Sequence, residues 1–371
     1  MSTADDIKFM RRALELAAKA MGRTSPNPMV GAVIVKDGKI IGEGYHRRAG
    51  TPHAEINALA EAGRSARGAT IYVNLEPCSH YGRTPPCADA LVEAGIKRAV
   101  ISVLDPNPKV AGRGVEILKD AGIETCVGVL EEDAAKLNEV FFKYIKTGLP
   151  FVSLKVAMTL DGKIATYSGD SRWITGDASR KFVHHLRNTN DAVMVGIGTV
   201  LADDPQLNTR LDISDRKDPV RIIIDGNLEI PLTSKIVTSS SKQKSIVFTS
   251  YIKDKEKAEK LQSYGVEIIE LGGSSSRLPI EKAMKVLGGM GICSLLVEGG
   301  SAVNAYMIEK KLVDKLYWFI APKIIGGQSA PSPVAGKGLE LMRDAIEVET
   351  SGIKYFDRDI CLTGYLNRWH C

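Results

Sequence analysis

His53-Ala54-Glu55, with Pro77-Cys78 and Cys87 further along the chain, offers one imidazole, two thiols and one carboxylate. Imidazole and thiolate are donors that zinc prefers. Three protein ligands leave a fourth tetrahedral position for water, which separates a catalytic zinc site from a closed structural one. Zinc brings the pKa of such a water to about 7, and Glu55, at the start of a helix, is placed to take its proton and return it to a leaving amine. This set suits hydrolytic deamination of a nucleobase, with His53, Cys78 and Cys87 as ligands and Glu55 as the proton shuttle outside the metal shell. Taken singly, a histidine before a helix is a cap or surface group and a free cysteine is a small buried hydrophobe. Their order in a strand-helix context is what argues for the metal. In the general signature two residues separate the thiolates, whereas Ser79 to Pro86 intervene here. The longer loop returns Cys87 to the metal and adds His80 and Arg83 beside the pocket.

The elements that must position these groups are legible in the pattern. Ile7, Met10, Leu14, Ala17, Ala18 and Met21 recur at helical spacing and predict an opening helix that stops before Ser25-Pro26-Asn27-Pro28. Strands over 29–35 and 40–45 flank Lys36-Asp37-Gly38, whose Asp-Gly pair supplies the positive φ of a hairpin turn. Helices over 54–62, 88–94 and 114–121 then alternate with strands over 70–74, 99–103 and 124–129, and a last helix covers 131–146. Thr147-Gly148-Leu149-Pro150 carries stop signals, so the first domain is expected over 1–147 and a second over 148–371. The second half predicts strands over 151–157, 192–195, 220–225, 245–249, 267–270 and 294–298, with helices over 177–188, 255–263, 280–287 and 302–309. Alternation of this kind defines layered α/β domains. Segments 211–219, 238–245 and 271–276 are expected to be exposed loops without chemistry.

Residue usage narrows the class of function. The chain is 44% hydrophobic, enough to bury a sizeable core, and its net charge of +5 comes from basic and acidic residues that are mixed along the sequence. Aromatic content of 6% with no concentrated basic stretch argues against a nucleic-acid deaminase, which needs a basic groove with stacking aromatics. An anionic small molecule suits the balance better. Six cysteines are too sparse for a disulfide scaffold and point to a reducing compartment, with the cytoplasm expected. No apolar stretch approaches the roughly 18 residues of a membrane span, so no membrane partner is expected.

In the second half, Gly196-Ile197-Gly198-Thr199 follows a strand, but Asp203 and Asp204 stand where a dinucleotide fingerprint would continue with glycine. A Rossmann fold is therefore not supported. Glu298-Gly299-Gly300-Ser301 lies at a strand-helix junction, where free backbone N–H groups bind phosphate. These glycines either shape turns or bring backbone to a nucleotide, and the residues alone leave both open.

Several runs carry a resemblance. Thr24 to Val33, Gly44-Tyr45-His46, His53-Ala54-Glu55 and Leu75 to Cys87 resemble the deaminase half of the bifunctional riboflavin-biosynthesis deaminase-reductases, in which the expanded cysteine loop is the usual form. Leu154 to Ala165, Ser171 to Gly176, Gly198 to Arg210 and Glu298-Gly299-Gly300 resemble the reductase half, in the same order. The resemblance covers nearly the whole chain. It implies a cytidine-deaminase-like α/β/α domain followed by a dihydrofolate-reductase-like α/β domain. The implied substrate is 2,5-diamino-6-(5-phosphoribosylamino)pyrimidin-4(3H)-one, deaminated to the aminouracil, whose ribosyl chain NADPH then reduces to ribityl.

The residues it implies follow by position. Asn27, His46, His80, Asp105 and Asn107 would line the deaminase substrate, although Asn27 and Asn107 beside prolines are good turn residues in any protein. Ala157, Trp173, Thr199, Asp203, Gly300 and Ser301 would border NADPH, and Lys155, Ser171, Arg187, Leu207, Arg210 and Glu298 the reductase substrate. Arg187 and Arg210 have a reason of their own, since a guanidinium fork matches a phosphate dianion. Otherwise Arg187 would lie on a solvated helix face and Arg210 in a loop salt bridge. Lys155 and Asp203 are candidates for helping proton or hydride transfer. A single zinc ion per chain and a homo-oligomer, dimer or tetramer, are also implied. The residues themselves leave NADPH and NADH equally open, and also whether the intermediate passes directly between domains. The alternative is a zinc nucleobase deaminase whose second domain is inactive or regulatory.

Overall fold

The computed structural model describes residues 3–79, 86–107, 110–274 and 277–366. Two compact units divide the chain after Gly148.

In the first unit the order is α1 (Ala4–Ala18), β1 (Gly31–Lys36), β2 (Lys39–Tyr45), α2 (Ala54–Ala62), β3 (Thr70–Leu75), α3 (Cys87–Glu93), β4 (Arg98–Val103), α4 (Arg113–Asp120), β5 (Glu124–Val127), α5 (Glu131–Leu137) and α6 (Glu139–Thr147). The sheet runs β2-β1-β3-β4-β5, antiparallel across the first three strands and parallel across the last three. The hairpin turn has Asp37 and Gly38 both at positive φ, as the Asp-Gly pair requires. Thr3 and Asp6 cap α1 reciprocally. Its apolar face packs Phe9, Met10 and Ala13 against Val33, Tyr72 and Val100, while the other face of the sheet buries Ile34, Ile71 and Ile101 under α2 and α3. At Gly44 of β2 an added Cβ would sit 2.3 Å from the Ala54 carbonyl oxygen, so only glycine lets α2 lie this close to the strand. That approach sets the height at which His53 and Glu55 enter the site.

The helix expected over 131–146 is two helices. Asn138 interrupts it, with φ −102° and ψ 21°, because its buried side chain binds both backbone groups of Met29. A helix interior gives an asparagine no such partner, and the local pattern could not show a residue more than a hundred positions away.

The second unit contains β6 (Phe151–Thr159), α7 (Asp177–Thr189), β7 (Ala192–Gly196), α8 (Ile197–Asp203), β8 (Val220–Ile224), α9 (Lys235–Thr238), β9 (Ser245–Thr249), α10 (Lys255–Ser263), β10 (Val266–Glu270), α11 (Ile280–Gly289), β11 (Ser294–Val297), α12 (Ser301–Glu309), β12 (Lys315–Ala321), β13 (Glu349–Phe356) and β14 (Asp359–Tyr365). Its sheet runs β10-β9-β8-β7-β11-β6-β12-β14-β13. The first seven strands in that order are parallel, and β14 and β13 close it antiparallel. The strands buried on both faces read as apolar runs, such as Ala192 to Val195 and Leu295 to Val297, as parallel strands under helices do.

Two sequence expectations change here. β12, β13 and β14 are absent from the expected elements; exposure of β13 along most of its length, without the apolar alternation of a half-buried strand, accounts for that strand alone, since β12 and β14 are half-buried. The 238–245 loop is only partly exposed: Thr238, Ser241, Lys242 and Lys244 face solvent, but it is not without structural work. Ser240, Gln243 and Ser245 are buried: Gln243 donates to the carbonyls of Leu207 and Pro219, and Ser245 accepts from the fully buried Arg221.

Candidate active sites

In the first unit His53 precedes α2, Cys78 follows β3 and Cys87 opens α3. Three elements distant in sequence thus deliver their ligand atoms within 4.8 Å of one another. The His53 Nδ1 lies 3.3 Å from the Cys87 sulfur and 3.6 Å from that of Cys78, whose sulfur also accepts the Cys87 backbone N–H at 3.3 Å. Hydrogen bonding between the two sulfurs holds the Cys78 thiol below its usual range and, with burial, pushes the Cys87 thiol up. One nitrogen and two sulfurs gathered this closely fit zinc and not an oxygen-seeking cation. Glu55 is buried in the first turn of α2, and that burial, followed by the charge of Cys78, lifts its carboxyl to about 7.

His46 lies beside this cluster, its ring 5.3 Å from that of His53 and edge-on to it. Its Nδ1 faces the Pro52 carbonyl at 3.3 Å, which leaves Nε2 to accept the Asn27 amide at 3.2 Å. Burial lowers its pKa, opposed by the Pro52 carbonyl. Asn27 stands just before the segment clamped by Asn138 and by Asn74, whose side chain binds the Met29 carbonyl and the Gly31 N–H. Asp105 and Asn107 follow β4, at the same carboxyl-terminal end of the parallel strands as Cys78. His80 and Arg83 lie outside the described residues.

In the second unit a cavity of about 450 Å³ opens at the carboxyl ends of β6, β7 and β11. Ligands characteristically bind at that end of a parallel sheet. The residues expected to border the cofactor, Ala157, Trp173, Thr199, Asp203, Gly300 and Ser301, all line it, and so do the expected substrate residues Lys155, Ser171, Arg187, Leu207, Arg210 and Glu298. Gly300 brings α12 close to α8: a Cβ there would lie 3.2 Å from the Thr199 hydroxyl, which would have to give by a few tenths of an ångström. Ser171 donates to the Asp203 carboxylate at 3.2 Å, and the exposed Trp173 carries the Arg180 guanidinium 4.5 Å from its ring centre.

Arg187 is not on a solvated face. Its guanidinium closes a fork on Glu298 at 2.6 and 2.8 Å and donates to the Asn208 carbonyl at 3.1 Å. Burial works against the Glu298 charge, but Arg187 and then Lys155 outweigh it and hold the carboxyl below its usual range. Burial lowers the Lys155 ammonium pKa, opposed by Glu298. Arg210 makes no such ion pair among the described residues. Its backbone N–H and Nε lie 3.2 and 3.3 Å from the two ring nitrogens of His184.

His184 and Asn304 also line the cavity and were not anticipated. The signal for His184 is its position one turn before Arg187 on α7; for Asn304 it is its place in the first turn of the helix after Gly299-Gly300. The Asn304 Oδ1 is buried without a hydrogen-bond partner. An orphaned acceptor of this kind is costly unless a bound molecule donates to it, and a cavity of this size suits a nucleotide cofactor with its substrate.

The two units define a zinc-deaminase domain followed by a reductase domain. The family described as the cytidine and deoxycytidylate deaminase zinc-binding region matches residues 3–103, and the RibD C-terminal domain matches 150–362. The riboflavin biosynthesis protein RibD of Aquifex aeolicus is 46% identical over 96% of this chain and 97% of its own length, and that of Actinobacillus pleuropneumoniae 44% over 97% and 95%. Among solved structures, RibD of Acinetobacter baumannii superposes with a TM-score of 0.88 at 42% identity, covering 98% of this chain and 99% of that one. The Thermotoga maritima diaminohydroxyphosphoribosylaminopyrimidine deaminase/5-amino-6-(5-phosphoribosylamino)uracil reductase gives 0.86 at 40% identity, covering 97% and 98%. The chain belongs to the RibD family of bifunctional riboflavin-biosynthesis enzymes. Zinc and a nicotinamide cofactor are the groups its two domains employ.

Proposed function

We propose that the first unit deaminates 2,5-diamino-6-(5-phosphoribosylamino)pyrimidin-4(3H)-one and that the second reduces the ribosyl chain of the resulting aminouracil with NADPH. The observation that carries the first half is the convergence of His53, Cys78 and Cys87 within 4.8 Å beside the buried Glu55. Zinc held by those three side chains supplies the Lewis acidity that makes water nucleophilic near neutral pH. The Glu55 carboxylate takes the proton of the water that attacks the amine-bearing ring carbon, passes it to the neighbouring ring nitrogen, and delivers a proton to the departing amine, so that ammonia leaves and a carbonyl remains. His46, bonded to Asn27, faces the substrate with it as an orienting pair, with Asp105 and Asn107 on the opposite loop.

In the second unit the cofactor supplies hydride to the first ribose carbon once the sugar ring is open. Lys155, with its ammonium pKa lowered by burial, gives the proton that the opening ring oxygen needs. Arg210 takes the substrate phosphate, because the Arg187 fork is already committed to Glu298. The unpaired Asn304 Oδ1 accepts from the cofactor, and Asp203 with Ser171 shapes the rim.

We also propose a cytoplasmic homo-oligomer. The free cysteines suit a reducing compartment, and Ile324, Leu339, Met342, Ile353 and Tyr355 are exposed apolar groups on the second unit of the kind that a second copy covers. No helix among the described residues is long and apolar enough to cross a membrane.

The decisive experiment incubates the diaminopyrimidinone with zinc-loaded protein, with and without NADPH or NADH, and identifies products by mass. The aminouracil without reductant and the ribityl product with NADPH are expected. Aminouracil alone in every incubation would leave the second domain inactive or regulatory, and no deamination would overturn the reading of the first.

A further inference from the structure

Glu76 belongs to the Leu75-Glu76-Pro77-Cys78 run but is neither a ligand nor a proton shuttle. Its side chain is 3% exposed and, among the described residues, meets no cation. Four backbone N–H groups compensate its charge instead. One carboxylate oxygen accepts from Asp105 at 3.1 Å and Gly112 at 3.0 Å, and the other from Gly114 at 2.8 Å and Val115 at 3.3 Å. The last three are the opening donors of α4, whose N-cap, Gly112, has no side chain to satisfy them. Glu76 thus caps α4 from another element. Its own N–H donates to Val103 at 3.0 Å, which ties the ends of β3 and β4 together. The joint is tight: a Cβ on Gly114 would lie 2.1 Å from the Pro77 carbonyl oxygen and 3.2 Å from Cγ and Oε1 of Glu76.

One carboxylate therefore joins the strand end that carries Cys78 to the start of the 105–107 loop and to the helix beyond it. Within the loop, Asp105 accepts the Asn107 N–H at 2.8 Å, so a shift at the Asp105 backbone carries Asn107 with it. We propose that Glu76 is a positioning residue of the deaminase: it fixes the distance between the metal-ligand loop and the loop that receives the substrate. This rests on the reading of Asn107 as facing substrate. A neutral amide at position 76 would place its NH2 against two of the four backbone donors, and such unmatched pairs would let the loop and α4 move outward. Misplacement near 1 Å costs on the order of a hundredfold in rate when it affects reacting groups.

The test uses the full-length chain. Glu76→Gln is expected to keep its zinc and its reduction of the deaminated substrate, while the deaminase KM rises about tenfold or more, a larger change than that in kcat. Hydrogen exchange at the amides of Gly112, Gly114 and Val115 should speed up. Glu76→Asp, which retains both oxygens, should recover part of the KM, and Gly114→Ala, which wedges the same joint against Pro77 and Glu76, should raise it. Asn107→Ala supplies the reference, and combining it with Glu76→Gln should add little to the larger single effect. Glu76 is overturned as a positioning residue if Asn107→Ala raises KM while Glu76→Gln and Gly114→Ala do not, or if Glu76→Gln releases zinc. An unchanged KM in Asn107→Ala would instead remove the substrate-facing loop, and with it the step on which the proposal depends. Should Glu76→Gln not fold, seen as loss of both activities, Glu76→Asp and Gly114→Ala decide the matter by the same readouts.

Discussion

Arg187 and Glu298 come from the far end of α7 and the end of β11, and they meet in a two-bonded fork that is largely withdrawn from water. Lys155 on the adjacent β6 adds a second positive charge to the same carboxylate. The fork sits in the wall of the cavity, so it sets both the stability of the second unit and the charge that a substrate meets there. Glu298→Gln leaves Arg187 buried without a counter-charge and should destabilise the protein by about 3 kcal/mol. Denaturant unfolding of the variant checks this, and an unchanged midpoint would show the pair to be dispensable.

Arg210 makes a separate prediction. Its Nε meets His184 and one terminal nitrogen lies 3.5 Å from the Gln206 amide oxygen, at the limit of a hydrogen bond, and a lysine cannot reproduce the fork that such a guanidinium offers a phosphate. Arg210→Lys should raise the reductase KM for the phosphorylated aminouracil about tenfold, a loss of about 1.4 kcal/mol of binding, with little change in kcat. The dephosphorylated compound should be handled equally by both proteins. An equal loss on both compounds would take the phosphate away from Arg210.

Glu55→Gln removes the proposed proton shuttle while leaving His53, Cys78 and Cys87 untouched. Zinc content should match the parent, and ammonia release should fall by about 10²–10⁴. Reduction of supplied aminouracil should continue. Near-parental ammonia release would exclude Glu55 as the shuttle.

His184 predicts a pH dependence in the second unit. Burial, then Arg187 and Arg210, holds its pKa at about 4, below the usual value near 6.5. Between those values the unfolded chain binds the proton and the folded one does not, so stability rises with pH across that window. Denaturant midpoints measured from pH 4 to 6.5 should climb, and His184→Gln should flatten part of the climb. An identical slope in the variant would assign the effect to other groups.

Asp6 predicts an acid limit for the first unit. The Arg98 guanidinium, bonded to both carboxylate oxygens at 2.7 and 3.1 Å, holds this buried carboxyl well below the usual carboxylate range. A depressed pKa gives stability that is fully present above about 4, the unfolded value, and is lost as pH falls toward the folded one. Asp6→Asn should lower stability by about 2–3 kcal/mol near neutrality and less in acid. A constant difference across pH would mean that the charge of Asp6 is not what holds α1 to β4.

The sequence by itself determined what is local. The types and order of His53, Glu55, Cys78 and Cys87 name a metal and a reaction, because donor chemistry belongs to the side chain. Helices such as Ala54–Ala62 and Lys255–Ser263 follow from periodicity, and the turn at Asp37-Gly38 from the φ those residues tolerate. Only the tertiary structure decided the long-range pairings: Asn138 with Met29, Glu76 with the amides of α4, and Arg187 with Glu298. Those partners lie 109, 38 and 111 residues apart, and their meeting depends on strand order and on how closely helices approach the sheets. The sequence therefore offered the candidate groups, and the packing of the chain decided which of them were brought together and which neighbours hold them in place.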